Sequence, residues 1–299
     1  KVFQCVLNDH PEIFYVEGYT LTRYALGEEL KMMTLSGTYS MTPETIEAKK
    51  QLIDSYVNQC FVSLPTGDGS QYAIARYVYE YLIENTEYDA GAPDNQNICS
   101  VFITHRSVCQ GYAKATQYLL QKAGIEATLI MGTVQNGEGH AWNLVKPGKS
   151  WYHLDATFDN SLGRYGAPRF DYFNLGDREI FRDHQKLLYP VPACPDSEHF
   201  YYREQRLSLT KEEDVKKRLK AVLRKKQPYF VFHWRGGRLN RELVRFFYEE
   251  ACQAAGEKGK FAALSVNVPQ SVIEISIRDR QAEKEIQEEE ANEGELTEK

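Results

Sequence analysis

Residues 139–157 read GHAWNLVKPGKSWYHLDAT. Within them the hydrophobic period drops to two on either side of Pro147-Gly148, a pair that punctuates a turn. His140 to Val145 and Trp151 to Ala156 are therefore predicted as adjacent antiparallel strands, with Ala127 to Met131 as a third strand before them. A short, regular turn places His140 directly across from Asp155. Cross-strand neighbours on one face have Cβ atoms about 5 Å apart, so an imidazole reaches a carboxylate there.

Upstream, Ser107-Val108-Cys109-Gln110-Gly111-Tyr112-Ala113 opens a segment with Ala113, Thr116, Leu119 and Leu120 at helical spacing and Gly124 placed to stop it. Cys109 is thus set at a helix start, where unpaired N–H groups and the macrodipole favour a thiolate. A strand hairpin after a helix gives an α+β fold, with helices packed on an antiparallel sheet.

Thiol, imidazole and carboxylate are the parts that acyl transfer through a cysteine thioester requires: nucleophile, base and a group orienting the base. A lone cysteine near a helix start is more often a small buried hydrophobe. What lifts Cys109 above that reading is Gly111 two residues on and the two partners in hairpin register. The remaining histidines add little. His153 shares a strand face with Asp155, but with His140 it makes no spacing diagnostic of zinc, so no metal and no cofactor are expected. His105 reads as a loop histidine.

The motifs Val108-Cys109-x-Gly111-Tyr112-Ala113, His140-Ala141-Trp142-Asn143 and Leu154-Asp155-x-Thr157-x-Asp159 resemble those of bacterial members of the transglutaminase-like superfamily. The likeness runs over roughly residues 70 to 185. It implies a core related to papain-like proteases, with Cys109 as nucleophile, His140 as base and acid, and Asp155 orienting His140. It also draws attention to Gln96 as a second oxyanion donor beside the Cys109 N–H. Trp142 and Tyr152 are candidates to wall a cleft, although strand aromatics pack in cores by default.

The expected activity is thiol-dependent acyl transfer on a peptide or glutamine amide, with hydrolysis ahead of transamidation because water needs no acceptor site. The alternative is a catalytically silent transglutaminase-like scaffold or protein-binding module.

Around this core the chain is read in four parts: a strand and helix region over 1–69, the catalytic core over 70–207, a small α/β appendage over 208–278, and an acidic tail over 279–299 read as disordered. Thr42-Pro43 caps a helix to about residue 62, and Ser70 caps a second. In the appendage, Thr210 and Glu213 form a capping box, followed by a charged helix, a strand at 229–232, a helix at 240–254 and a strand at 271–277. The cluster Lys216, Lys217, Arg218, Lys220, Arg224, Lys225 and Lys226, with Arg235 and Arg238 nearby, reads as a solvated helix face. Gly67-Asp68-Gly69 and Gly236-Gly237 lack the rest of any phosphate-binding motif.

The bulk composition fits. In 299 residues, 42% are hydrophobic and 26% charged, and 36 basic against 42 acidic residues leave a net charge of -6. That balance gives no support to nucleic-acid binding, and the partner expected from the acyl-transfer chemistry is a protein or peptide substrate. No apolar run reaches the roughly 18 residues a membrane span needs. The six scattered cysteines form no CxxC pair and no disulfide framework. The chain begins at Lys1 rather than Met, which is read as the loss of an upstream segment, and the resembling proteins point to an exported or cell-surface location, with the cytoplasm as the other reading.

Overall fold

The computed structural model describes residues 2–65, 70–164, 166–186 and 190–279. The chain divides into two compact units, residues 1–157 with 184–193, and residues 158–183 with those from 194 onward. The boundary read at residue 207 lies inside the second unit, and the acidic tail from 280 lies outside the described residues. Among the described residues, no helix is long and apolar enough to cross a membrane.

The first unit holds the antiparallel sheet expected of an α+β fold. Its strands run Tyr152–Leu154, Gly139–Lys146, Glu126–Val134 and His184–Lys186 in spatial order. The helix Cys109–Lys122 packs on the two central strands and buries Ala113, Thr116, Leu119 and Leu120, the stripe read from its spacing. Gly124 follows at φ +80°, the left-handed conformation that ends a helix without a Cβ penalty. Helices Pro43–Phe61 and Gln71–Glu84 start where their caps predict, with the Thr42 and Ser70 hydroxyls accepting from the N–H groups of Thr45 and Ala73, each at 3.3 Å.

The hairpin register departs from the sequence expectation by two residues. Val145 pairs with Tyr152 and Asn143 with Leu154, so the connection spans 146–151 and is longer than a tight turn. Gly148, at φ +118°, lies within it. A one-residue slip would have reversed every side chain, whereas a two-residue slip preserves the face. Asp155 consequently falls just beyond its strand, immediately before the helix Ala156–Gly163.

At the N-terminus the structure forms a helix, Val2–Asp9, where the sequence shows only a short apolar opening. None of its residues is buried, so a core-facing stripe could not announce it. The next segments are two 11-residue strands, Val16–Leu26 and Glu29–Tyr39, paired as a hairpin about Gly27. This hairpin leaves Leu21, Leu26, Met32, Met33 and Leu35 exposed.

In the second unit, strands Ser208–Leu209, Tyr229–Trp234, Val272–Asp279 and Lys260–Asn267 form a sheet in that order, backed by helices Glu212–Arg224 and Arg241–Gly256. The strand Lys260–Asn267 is absent from the sequence reading because Ala262 and Ala263 interrupt its alternation. The capping box at Thr210 is also corrected: Lys211 is the N-cap, with no side-chain cap bond. The charged helix buries Val215, Leu219 and Val222 and turns its lysines outward, Lys216 pairing with Glu250 at 2.7 Å.

Candidate active site

Cys109 is the first residue of its helix, preceded by Val108 as an extended N-cap. The Val108 N–H donates to the Asn95 carbonyl at 3.2 Å and the Ser107 hydroxyl to the same oxygen at 3.0 Å, which anchors the chain entering the helix. Gly111 explains itself here. A Cβ at this position would stand 2.0 Å from Ser107 Oγ and 2.8 Å from both Asn95 O and Ser100 Oγ. Only glycine lets the first helical turn lie against this knot.

Strand Gly139–Lys146 carries His140 to the thiol, and Asn143 locks strand to helix by donating to the Ala113 carbonyl at 2.8 Å. His140 Nε2 meets Asp155 Oδ2 at 2.6 Å. Cys109 lies close enough to His140 for the imidazole's charge and hydrogen bonding to act on its thiol. His140 and Asp155 are thus in direct contact, and Cys109, 46 positions before Asp155 in the chain, lies near His140.

Asp155 is 1% exposed and densely held. Its Oδ1 accepts the Thr157 N–H at 2.9 Å, its backbone carbonyl accepts the Tyr79 hydroxyl at 2.8 Å, and His184 Nε2 reaches Oδ2 at 3.0 Å. A buried carboxylate persists only when compensated in this way. Burial opposes its ionisation, but the charge and hydrogen bond of His140, with those of His184, outweigh burial and hold the carboxyl well below the usual range.

The same balance governs the other two groups. Burial would raise the Cys109 thiol and lower the His140 imidazole. The His140 hydrogen bond and charge, with the Ala141 backbone N–H, instead bring the thiol below its ordinary value. Asp155 foremost, then Cys109, lifts His140 to about 10. Both shifts favour the thiolate and the imidazolium over what free side chains would show. At Cys60 and Cys99 burial dominates and pushes both up to about 12.

The remaining sequence candidates separate. Gln96 is exposed on the turn next to Asn95, one residue from the carbonyl that anchors Val108. Trp142 and Tyr152 are core residues, 1% and 2% exposed. Trp142 stacks on His140 with ring centroids 6.1 Å apart and donates its indole N–H to His153 Nδ1 at 3.0 Å, so it supports the imidazole from within. Two site residues escaped the sequence reading. His184 stands in a segment with no motif, and Tyr88, half exposed, lies close enough to Cys109 for the thiolate, after burial, to raise its phenol.

His140, Asp155 and His184 also offer donor atoms within 4.8 Å of one another, a spacing that would suit a metal ion. In this arrangement both Nε2 atoms are hydrogen-bonded to the same carboxylate oxygen.

Residues 62–156, which contain all three of the aligned groups, match the family pattern of the transglutaminase-like superfamily core. This segment is a transglutaminase-like domain. Solved structures similar to the chain include a TGase (16% identity, TM-score 0.31, 48% of this chain and 44% of that one). Others are the periplasmic domain of TgpA from Pseudomonas aeruginosa (18%, 0.26, 44% and 57%) and menin (15%, 0.31, 73% and 53%). The chain spans about half the length of these structures. No curated protein matches it. The transglutaminase-like domain falls wholly within the first compact unit.

Proposed function

We propose that the protein is a cysteine-dependent acyl-transfer enzyme that cleaves an amide of a peptide or a glutamine side chain, with water as the preferred acceptor. The observation that carries this reading is the position of His140, hydrogen-bonded to Asp155 and near enough to Cys109 to lower its thiol. The Cys109 thiolate attacks the amide carbon, forming a C–S bond and an oxyanion. The His140 imidazolium then gives its proton to the leaving nitrogen as the C–N bond breaks. Water, losing a proton to His140, attacks the thioester, and the acid departs with regeneration of the thiolate.

The oxyanion is met by the Cys109 N–H, which as the first helical amide has no intrahelical acceptor, and Gln96 is assigned the second donor. Asp155 keeps His140 in the tautomer and orientation that serve the thiol. Hydrolysis is placed ahead of transamidation because an acceptor amine needs its own subsite and no residue group beside Cys109 is assigned to one.

The test uses casein as a general amide donor, with and without a biotinylated primary amine. Cleaved or deamidated casein without biotin incorporation, lost in Cys109→Ala, is the expected outcome. Preferential biotin incorporation would make the enzyme a transamidase, and undiminished turnover in Cys109→Ala would overturn the nucleophile. A second reading, a metal held by His140, Asp155 and His184, is favoured by their spacing. It predicts activity lost to chelators and insensitive to Cys109 alkylation, the reverse of the thiol reading.

A further inference from the structure

The second compact unit contains a cleft of about 660 Å³ whose walls include Arg178, Arg182, Arg203, Arg235 and Arg238, with Glu179 as the one acidic residue. Among the described residues, Arg178, Arg203, Arg235 and Arg238 take part in no ion pair. Arg182 approaches Glu179 only at 4.0 Å and donates to the Pro269 carbonyl at 3.0 Å. The carboxylate of Glu179 is already engaged by the Ser197 hydroxyl at 2.6 Å. Five guanidinium groups therefore face one space with little internal compensation.

Two buried polar atoms on this wall lack a hydrogen-bond partner, Arg203 Nε and the indole Nε1 of Trp234. Trp234 is only 5% exposed. Both atoms are donors, and a buried unpaired donor costs about 1–3 kcal/mol, so a ligand that brings acceptor oxygens relieves a standing penalty. His233, on the same wall, reports the local field. Burial and then the charges of Arg203, Arg235 and Arg182 press its imidazole down to about 3, and its Nδ1 lies 2.7 Å from the Ser208 hydroxyl.

We infer that this cleft is a binding site for a small organic molecule carrying a phosphate or diphosphate group. Unpaired donors call for an acceptor, and the excess of guanidinium charge calls for a multiply charged one, which a single carboxylate is not. The volume is that of a typical small-molecule pocket and exceeds what a lone oxyanion fills. Gly237, at φ +135°, lines the cleft and is open to solvent where a Cβ would stand. Gly237 thus takes part in an anion site although the Gly236-Gly237 pair belongs to no recognised phosphate loop. Arg235 and Arg238 separate in the same way from the lysine-rich helix with which the sequence groups them.

The experiment is calorimetric titration of the whole protein with pyrophosphate at constant ionic strength, with inorganic phosphate and succinate as comparison ligands. Saturable one-to-one binding of pyrophosphate, tighter than phosphate and at least tenfold tighter than succinate, is expected. Arg203→Gln and Arg235→Gln should each weaken it about tenfold, and Trp234→Phe, which removes the indole donor and keeps an aromatic ring, by less. Should Arg203→Gln unfold, the exposed Arg235→Gln and Arg238→Gln decide, with an unchanged melting curve as control. Absence of saturable binding, equal affinity for succinate, or variants that bind like the parent would each overturn the inference. The outcome is independent of Cys109 chemistry, so a failure here leaves the proposed acyl transfer untouched.

Discussion

His140 and Asp155 meet at 2.6 Å without being cross-strand partners: the register sets Asn143 against Leu154, and Asp155 reaches back from beyond its strand end. The contact is held from the aspartate's side, by the Thr157 N–H, the Tyr79 hydroxyl and His184. Orientation of the imidazole therefore rests on a small buried network whose members make separable contributions.

Asp155→Asn keeps the size of the side chain and removes its charge. The His140 tautomer is then no longer enforced, and kcat should fall about 10²- to 10⁴-fold, with less effect than loss of Cys109. Steady-state kinetics on a cleaved amide check this, and parent-like kinetics would reduce Asp155 to a structural role.

His184→Gln removes an imidazole that touches Asp155 at 3.0 Å. As a positioning residue it should lower kcat by roughly tenfold while leaving KM unchanged, a smaller effect than that of Asp155→Asn. A rise in KM alone would place His184 in substrate binding instead.

Gly111→Ala inserts a methyl where Ser107 Oγ would be 2.0 Å away and the Asn95 carbonyl 2.8 Å away. Backbone cannot move aside as a flexible side chain can, so destabilisation of about 3 kcal/mol is expected. Chemical denaturation measures it, and stability equal to the parent would show that the helix entry is loosely packed.

The pH dependence follows from the directions of the shifts. The thiolate–imidazolium pair exists between the lowered Cys109 value and the raised His140 value of about 10, so activity should be broad and fall on both sides. For stability, the raised His140 contributes fully below its unfolded value of 6.5 and loses that contribution as pH rises through about 10. Asp155, lowered from 3.8, contributes above 3.8 and loses its share as pH falls through its depressed value. Melting temperature measured across pH should thus decline at both ends, and in His140→Gln the alkaline decline should shrink.

Much of the site is legible in the sequence because its parts are local signals: a thiol at a predicted helix start, a required glycine two residues on, and a period-two hairpin. The two-residue register error still left His140 in contact with Asp155, which reaches back from beyond its strand end. What escaped was nonlocal or unpatterned. His184 arrives on an edge strand of three residues with no motif around it. The helix Val2–Asp9 buries nothing, and the strand Lys260–Asn267 carries alanines where β-branched residues would mark it. Trp142 and Tyr152 illustrate the default that aromatic strand residues are core.

The most direct test of the account is the pH dependence of iodoacetamide labelling, followed residue by residue by mass spectrometry. Cys109 should react fastest near neutral pH, with a rate midpoint below that of an ordinary thiol. Cys60 and Cys99, raised to about 12, should stay unlabelled in the folded protein. In His140→Gln the Cys109 midpoint should move back to the ordinary thiol range. A Cys109 that labels with the midpoint of a free thiol in the parent protein, unaffected by His140, would contradict the thiolate nucleophile and with it the acyl-transfer mechanism.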